Sequence, residues 1–413
     1  MTVEHVLRAL TPRVLGVLVR RHGDFARCED AVQEALIDAA DAWSRDGVPE
    51  HPFGWLTTVA ARRYVDLVRS DAARERREQA LFDAVPRDAL LAPPPDAEPA
   101  RDDLLELLFL CCHPALTAPS QMALTLRAVA GLSTAEIAAA FLVPDKTMGQ
   151  RISRAKQRLL EAGARFEPPA DRERALAVVR HVLYLLFNEG YSASAGPRLR
   201  RPDLTEQAMR LTRELHERLP DSGETAGLLA LMLLTEARGA TRADPDGVLV
   251  PLAEQDRSRW DRAAIAEGTD LVTRSLAAHP AGPYQVQAAI AAVHSEAATA
   301  EDTDWPQVLA LYDVLQRLAP SSVTALNRAV ALGEVRGPRA ALDVVAELER
   351  GVLAGHHRLL AVRAHLLERA GDPTAASEAF RQAARLAGNV PEQRFLLLRA
   401  ARCAAADISP GRV

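Results

Sequence analysis

Aromatic residues make up only 4% of the 413-residue chain. With few β-branched runs beside them, the usual material of β-sheets is missing, while abundant Ala, Leu, Arg and Glu favour helix at nearly every position. An all-α protein is expected. Cysteine is scarce too: Cys28, Cys111, Cys112 and Cys403 show neither metal-ligand spacing nor a disulfide framework. Adjacent Cys111 and Cys112 point in different directions on a helix and read as small apolar fillers. Followed by His113 and Pro114, they mark a helix end. No phosphate loop, metal cluster or nucleophile constellation is present, so no catalysis, metal or cofactor is expected. Long apolar runs are also absent. Ala226–Leu234 is about half the length a membrane span needs. The early run Val14–Val19 is short, flanked by Arg13, Arg20 and Arg21, and lacks a cleavage site, which predicts a cytoplasmic protein with no membrane partner. Excess positive charge is missing as well: the net charge of −5 excludes a protein that coats nucleic acid along its whole surface, but leaves room for local basic helices.

What is present is globular. Hydrophobic residues at 48% and charged residues at 25% supply ample core, and the length predicts two or three domains. A charged helical segment ends near Glu78. Pro86, Pro93, Pro94, Pro95 and Pro99 then form a linker, because consecutive prolines cannot continue a helix. Helical periodicity resumes near Asp102, lasts to Gly163, breaks at Pro168 and Pro169, and returns from Asp171 to the end. In this third segment Pro306, Pro338 and Pro373 each open a helix of similar kind, with small residues such as Ala341 and Ala375 at close-packing positions. Their spacing brackets the ~34-residue period of tetratricopeptide-like helix pairs. The consensus aromatics of that repeat are mostly missing, and a plain helical bundle remains the alternative.

Residues 132–159 predict a helix-turn-helix. Ser133 with Glu136 makes a capping box that starts a helix with Ile137, Ala138 and Phe141 on its inner face. After a turn at Val143–Pro144, Met148, Ile152, Ala155 and Leu159 form an inward stripe on a second helix. Lys146, Thr147, Gln150, Arg151, Arg154 and Arg158 are left facing outward. Arg and Gln there suit bidentate bonds to base edges in a major groove, and Thr and Lys near the helix start suit phosphates. Leu142 stands where such turns usually carry glycine, and Pro144 replaces the usual N-cap serine, so the turn geometry is the weak point.

A helix-turn-helix fits many regulators, so the first segment decides. Phe25–Trp43 places Val32, Leu36, Ala39 and Trp43 on one face and Asp30, Glu34, Asp38 and Asp41 on the other. Pro52–Ser70 is the opposite in character: aromatic at Trp55 and Tyr64, and from Arg62 to Arg77 six arginines stand against three acids. This pair resembles region 2 of RNA polymerase sigma factors. DAVQEAL resembles the segment that grips the β′ clamp helices, and WLTTVAARRYVDLVR the segment that melts and reads the −10 element. The linker and helix-turn-helix then fall where region 4, the −35 reader, belongs. No region 3 intervenes, which is the arrangement of the extracytoplasmic-function group. The resemblance implies core-polymerase contacts at Asp30, Gln33, Glu34 and Asp38, and −10 contacts at Trp55, Arg62, Arg63, Asp66 and Arg69. It implies −35 contacts at the outward residues of the second helix, and polymerase core (β′ clamp helices and β flap) and promoter DNA as partners.

The implied architecture is region 2 over residues 1–80, a linker over 81–101, region 4 over 102–165 and a helical-repeat extension over 171–413. LYLLFNEGYSASAG (183–196) and QDRSRWDRAAIAEG (255–268) are similar to hallmarks of a subfamily whose extension takes part in regulation, which implies a protein regulator as a further partner. Asn188, Glu189, Tyr191, Arg257 and Trp260 are the contact candidates. A plain reading also stands: Asn188–Gly190 suits a helix C-terminus with Gly190 left-handed, and Tyr191, Arg257 and Trp260 suit buried packing. The rivals to the whole reading are a one-component regulator with a repeat-type sensor and, from another class, an enzyme.

Overall fold

The structure, a computed structural model, describes residues 3–78, 103–141, 143–164, 169, 171–193, 196–351 and 353–407. The proline linker and Leu142 lie outside the described residues. Among those described there are eighteen α-helices and no strand, only two isolated β-bridges. The chain divides into two compact units, 1–185 and 186–413.

The first unit holds α1 (Val3–His22), α2 (Phe25–Asp46), α3 (Pro52–Glu78), α4 (Asp103–Cys111), α5 (Ala118–Leu124), α6 (Thr134–Ala140), α7 (Asp145–Glu161) and most of α8 (Arg172–Tyr191). Asp24 starts α2 by accepting the Arg27 backbone N–H at 3.0 Å, and positive-φ Gly47 ends it. α1 packs against α2, α3 and α4, burying Val14, Leu15 and Leu18. One turn of π-helix, Thr125–Val129, follows α5 directly and packs on α1 and α4. Cys111 and Cys112 are buried as expected, and α4 does end just before His113.

The second unit continues with α9 (Pro202–Arg218), α10 (Gly223–Glu236), α11 (Arg262–Ala278), α12 (Pro283–Glu296), α13 (Trp305–Leu318), α14 (Ser322–Arg336), α15 (Pro338–Leu348), α16 (His357–Arg369), α17 (Pro373–Leu386) and α18 (Val390–Asp407). Proline occupies the first turn of α9, α12, α13, α15 and α17, where its missing N–H costs nothing. From α12 onward each helix packs on the next in sequence, so the apolar clusters are built from near neighbours along the chain. Between α10 and α11 the chain winds through three short 3-10 turns.

Candidate nucleic-acid interface

The second helix of the helix-turn-helix, α7, starts without a side-chain cap. Pro144 sits at its N-cap with extended backbone (φ −60°, ψ 144°), and its carbonyl accepts from Thr147 and Met148. The sequence has put a rigid residue where other such helices use a hydroxyl, and the helix starts all the same because proline already holds a suitable φ. The preceding α6 carries the expected reciprocal box: Ser133 N–H donates to Glu136 Oε2 at 2.7 Å, and Glu136 N–H donates to Ser133 Oγ at 3.2 Å. Met148, Ile152, Ala155 and Leu159 are buried. Lys146, Thr147, Gln150, Arg154 and Arg158 are exposed, and Arg151 is half-buried.

Lys156 is on a different face. It turns toward α2, where its Nζ lies 2.5 Å from both Glu29 Oε2 and Asp30 Oδ1. Glu29 is 0% exposed, and its other oxygen accepts from Arg127 Nε at 2.8 Å. Burial would lower the Lys156 pKa, but the carboxylates of Glu29 and Asp30 outweigh it and hold it above the ordinary lysine value. The helices α2 and α7 thus meet around one buried ion triad beside a cleft of about 320 Å³. Arg8 of α1 adds a further ion pair, to Glu136 of α6.

The α2–α3 pair uses two further acids, Asp38 and Glu34. Arg63 grips Asp38 with two nitrogens, Nε at 2.9 Å and Nη2 at 2.6 Å from Oδ2, and lies 3.8 Å from Glu34. Trp55 is half-buried, its ring meeting that of Trp43 edge-on at 5.5 Å. Arg62, Asp66 and Arg69 are exposed along one stripe of α3. Gln33 keeps a buried Nε2 with no hydrogen-bond partner among the described residues. Leu36, assigned by periodicity to the inner face with Val32, is only half-buried, and Glu29 takes up interior space instead. Ile37 is 65% exposed, in the same stripe as Asp30, Glu34 and Asp41.

In the second unit two sequence motifs meet. Tyr191, half-buried, carries the Arg242 guanidinium 3.6 Å above its ring, and its carbonyl accepts from Arg242. Arg238 lies 5.7 Å from the same ring. Arg257 lies over the Trp260 ring at 4.7 Å and donates to the carbonyls of His294 (2.6 Å) and Ala297 (2.8 Å). Trp260 donates to Thr241 Oγ1 at 3.1 Å and packs among Leu229, Leu233 and Ile265. Arg257 and Trp260 are buried, so of the two readings open from sequence the structure takes interior packing for both. Asn188 and Glu189 are half-buried within α8.

Gly190 corrects an expectation. The helix runs past it to Tyr191, and it is not left-handed. Its Cα faces the start of α9, where an added Cβ would stand 2.5 Å from Thr205 N and 2.9 Å from the Arg201 carbonyl. Glycine is required here for close approach and not for a turn.

Sequence reasoning missed Glu29, Arg127, Lys156, Ile37, Arg238 and Arg242. Glu29 carried a readable signal, an acid on the apolar row that includes Val32 and Ala39. The two arginines of the loop after α10 carried none, because nothing local says which aromatic they will meet.

Three family profiles match this chain: Sigma-70 region 2 over residues 6–74, Sigma-70 region 4 over 106–159, and a family of unknown function (DUF6596) over 175–276. Both extension motifs fall within the third. A protein of Rhizobium meliloti (strain 1021), described only as uncharacterized, is 42% identical over 399 residues, covering 95% of this chain and 94% of the relative. Sigma-70 domains imply polymerase core and promoter DNA as partners. With α2 and α3 inside the region 2 match and the α6–α7 helix-turn-helix inside the region 4 match, the chain belongs to the sigma-70 family, as an extracytoplasmic-function sigma factor that directs promoter recognition and carries an additional C-terminal helical domain.

Proposed function

We propose that promoter recognition is divided between three surfaces of the first unit. The acidic stripe of α2 docks on the β′ clamp helices of the polymerase, with Asp30, Gln33, Glu34 and Asp38 in its polar part and Ile37 as its apolar anchor. Arg62, Asp66 and Arg69 of α3, with Trp55 and Arg63, take the −10 element, where splayed bases are held by stacking and edge contacts without chemistry. Lys146, Thr147, Gln150, Arg151, Arg154 and Arg158 of α7 read −35 duplex, and region 4 meets the β flap. Held on one polymerase, two weak DNA grips gain from effective concentration. The observation that carries this reading is the outward stripe of α7, basic and amide-bearing, on a helix whose opposite stripe of Met148, Ile152, Ala155 and Leu159 is buried.

The sigma-70 family is non-enzymatic in general and normally cytoplasmic, and this chain acts by binding in that compartment. No described helix is long and apolar enough to cross a membrane. The extension is a tetratricopeptide-like repeat array that meets a protein regulator; the Pro-initiated helices α13, α15 and α17, each followed by a partner, support it.

Run-off transcription with core polymerase tests the reading. Wild type should initiate at one class of promoter, and Arg154→Ala should lose initiation there while still binding core. A protein that binds duplex DNA but never core polymerase would instead be a one-component regulator.

A further inference from the structure

We propose that the extension binds a phosphate-type oxyanion among Arg200, Arg238, Arg242 and Arg257, with Arg238 as the residue that reaches the ligand. The site lies where the two sequence motifs converge, and it does not depend on how the first unit reads DNA.

Charge is the first argument. Four guanidinium groups gather here, and the one carboxylate among them, Glu236, is already paired with Arg200. The other acids that face the cluster, Glu206, Glu301 and Asp302, are exposed to solvent. Buried like charges without counter-charge are costly, so such a cluster persists where something else supplies the negative charge.

Unused donors are the second argument. Arg242 spends itself on Tyr191 and Arg257 on two carbonyls at the end of α12, yet Arg257 Nε and Arg200 Nε remain buried with no acceptor among the described residues. The Arg238 side chain makes no hydrogen bond or ion pair with any described residue; it lies 5.7 Å from the centre of the Tyr191 ring.

Local construction of the loop is the third. Gly239, between Arg238 and the Thr241–Arg242 pair, lets Arg200 lie against the turn: an added Cβ would stand 2.7 Å from Arg200 Cζ. The turn is pinned from below by Trp260 bonding Thr241. The field the arginines make is visible in their neighbours. Burial first, then Arg238 and Arg200, brings the Arg242 pKa down to about 10, and burial, then Arg238 and Arg257, brings His294 down to about 4.

Geometry selects the ligand class. A planar carboxylate engages one fork at a time, whereas a tetrahedral oxyanion presents oxygens in several directions and can accept from Arg238 and a second guanidinium of the cluster together. The chemistry is therefore that of a phosphate dianion, either free or as the terminus of a monoester.

Titration calorimetry and thermal melting of the full-length protein test the proposal, with inorganic phosphate against chloride at matched ionic strength. Saturable one-to-one binding and a phosphate-dependent rise in melting temperature are expected. Arg238→Ala should weaken phosphate binding by about tenfold or more. Without phosphate the same variant should melt no lower than wild type, because removing an uncompensated charge relieves repulsion; a purely structural arginine would give the opposite. Gly239→Ala, which displaces Arg200, should also lose phosphate, while Arg274→Ala, on an exposed pair with Asp270, should not. Competition by glycerol phosphate would extend the site to monoesters, and its failure would restrict it to the free anion. Phosphate heats equal to those of chloride, or undiminished binding by Arg238→Ala, would overturn the proposal.

Discussion

Single residues carry the sharpest consequences, and Glu29 is the first. The periodicity of α2 did not single it out, yet it is fully buried between Arg127 and Lys156. Removing Glu29 leaves Arg127 charged without its acid and Lys156 with Asp30 alone, so Glu29→Ala should cost about 3 kcal/mol in denaturant unfolding. The pH dependence follows from the raised Lys156 pKa. The folded value lies above the unfolded value near 10.5, so this contribution is complete at neutral pH and is lost only as alkalinity rises through the folded value. Melting temperature followed from pH 7 upward should show the loss beginning above about pH 10 in wild type, and less of it in Lys156→Met. The thiols behave similarly: burial pushes Cys112 up to about 12 and Cys111 well above its usual value. A thiol reagent at pH 8 should leave both unmodified in the native protein and reach them on unfolding. Cys111 and Cys112 were readable as fillers because small apolar residues without ligand spacing have little else to do. Glu29 was not, because its partners lie 98 and 127 positions away along the chain.

At the scale of helices, α7 divides its basic residues between two jobs. Gln150→Ala or Arg154→Ala should cost roughly 1–3 kcal/mol at one base position of a −35 library if the contact is bidentate. Arg158→Ala should instead weaken all sequences alike and reduce the slope of affinity against salt by about one counterion. Lys156 belongs to neither set, since its ammonium is held by α2. Ile37→Arg on α2 should abolish holoenzyme formation in a pull-down with core polymerase while changing stability by under about 0.5 kcal/mol, because that side chain is largely exposed in the free protein. Gly190→Ala should cost about 1–3 kcal/mol, because the backbone of α9 and not a pliable side chain blocks the new methyl group. The inward stripe of α7 was legible to the residue, since 3.6-fold periodicity is a property of the local chain. The role of Gly190 was misread, since a glycine near a helix end looks the same whether it makes a turn or admits a neighbour.

Across the molecule, the α2–α7 ion triad sets a condition on function. The −10 and −35 elements lie about 25 base pairs apart, roughly 85 Å along B-form DNA at ~3.4 Å per pair. A compact unit of the size of residues 1–185 has a radius of gyration of about 16 Å. Regions 2 and 4 must therefore part on a promoter, and the bonds of Lys156 and Arg127 to Glu29 must break. Fluorescence energy transfer between labels on α2 and α7 should be high in the free protein and fall in the promoter complex. Undiminished transfer there would show that one module alone holds DNA. The sequence by itself determined the helical class, the capping box, the inward stripe of α7 and the proline-started helices of the extension. Each of these rests on short-range periodicity or on covalent limits that any environment respects. Only the tertiary structure decided that Glu29 is interior, that Asp38 is paired with Arg63, that Arg257 and Trp260 are buried, and that Arg238 and Arg242 meet Tyr191 while Arg257 meets Trp260. Those outcomes depend on which side chains meet across long sequence separations. A charge reads the same in the sequence whether its partner is water, an acid or an empty place for an anion.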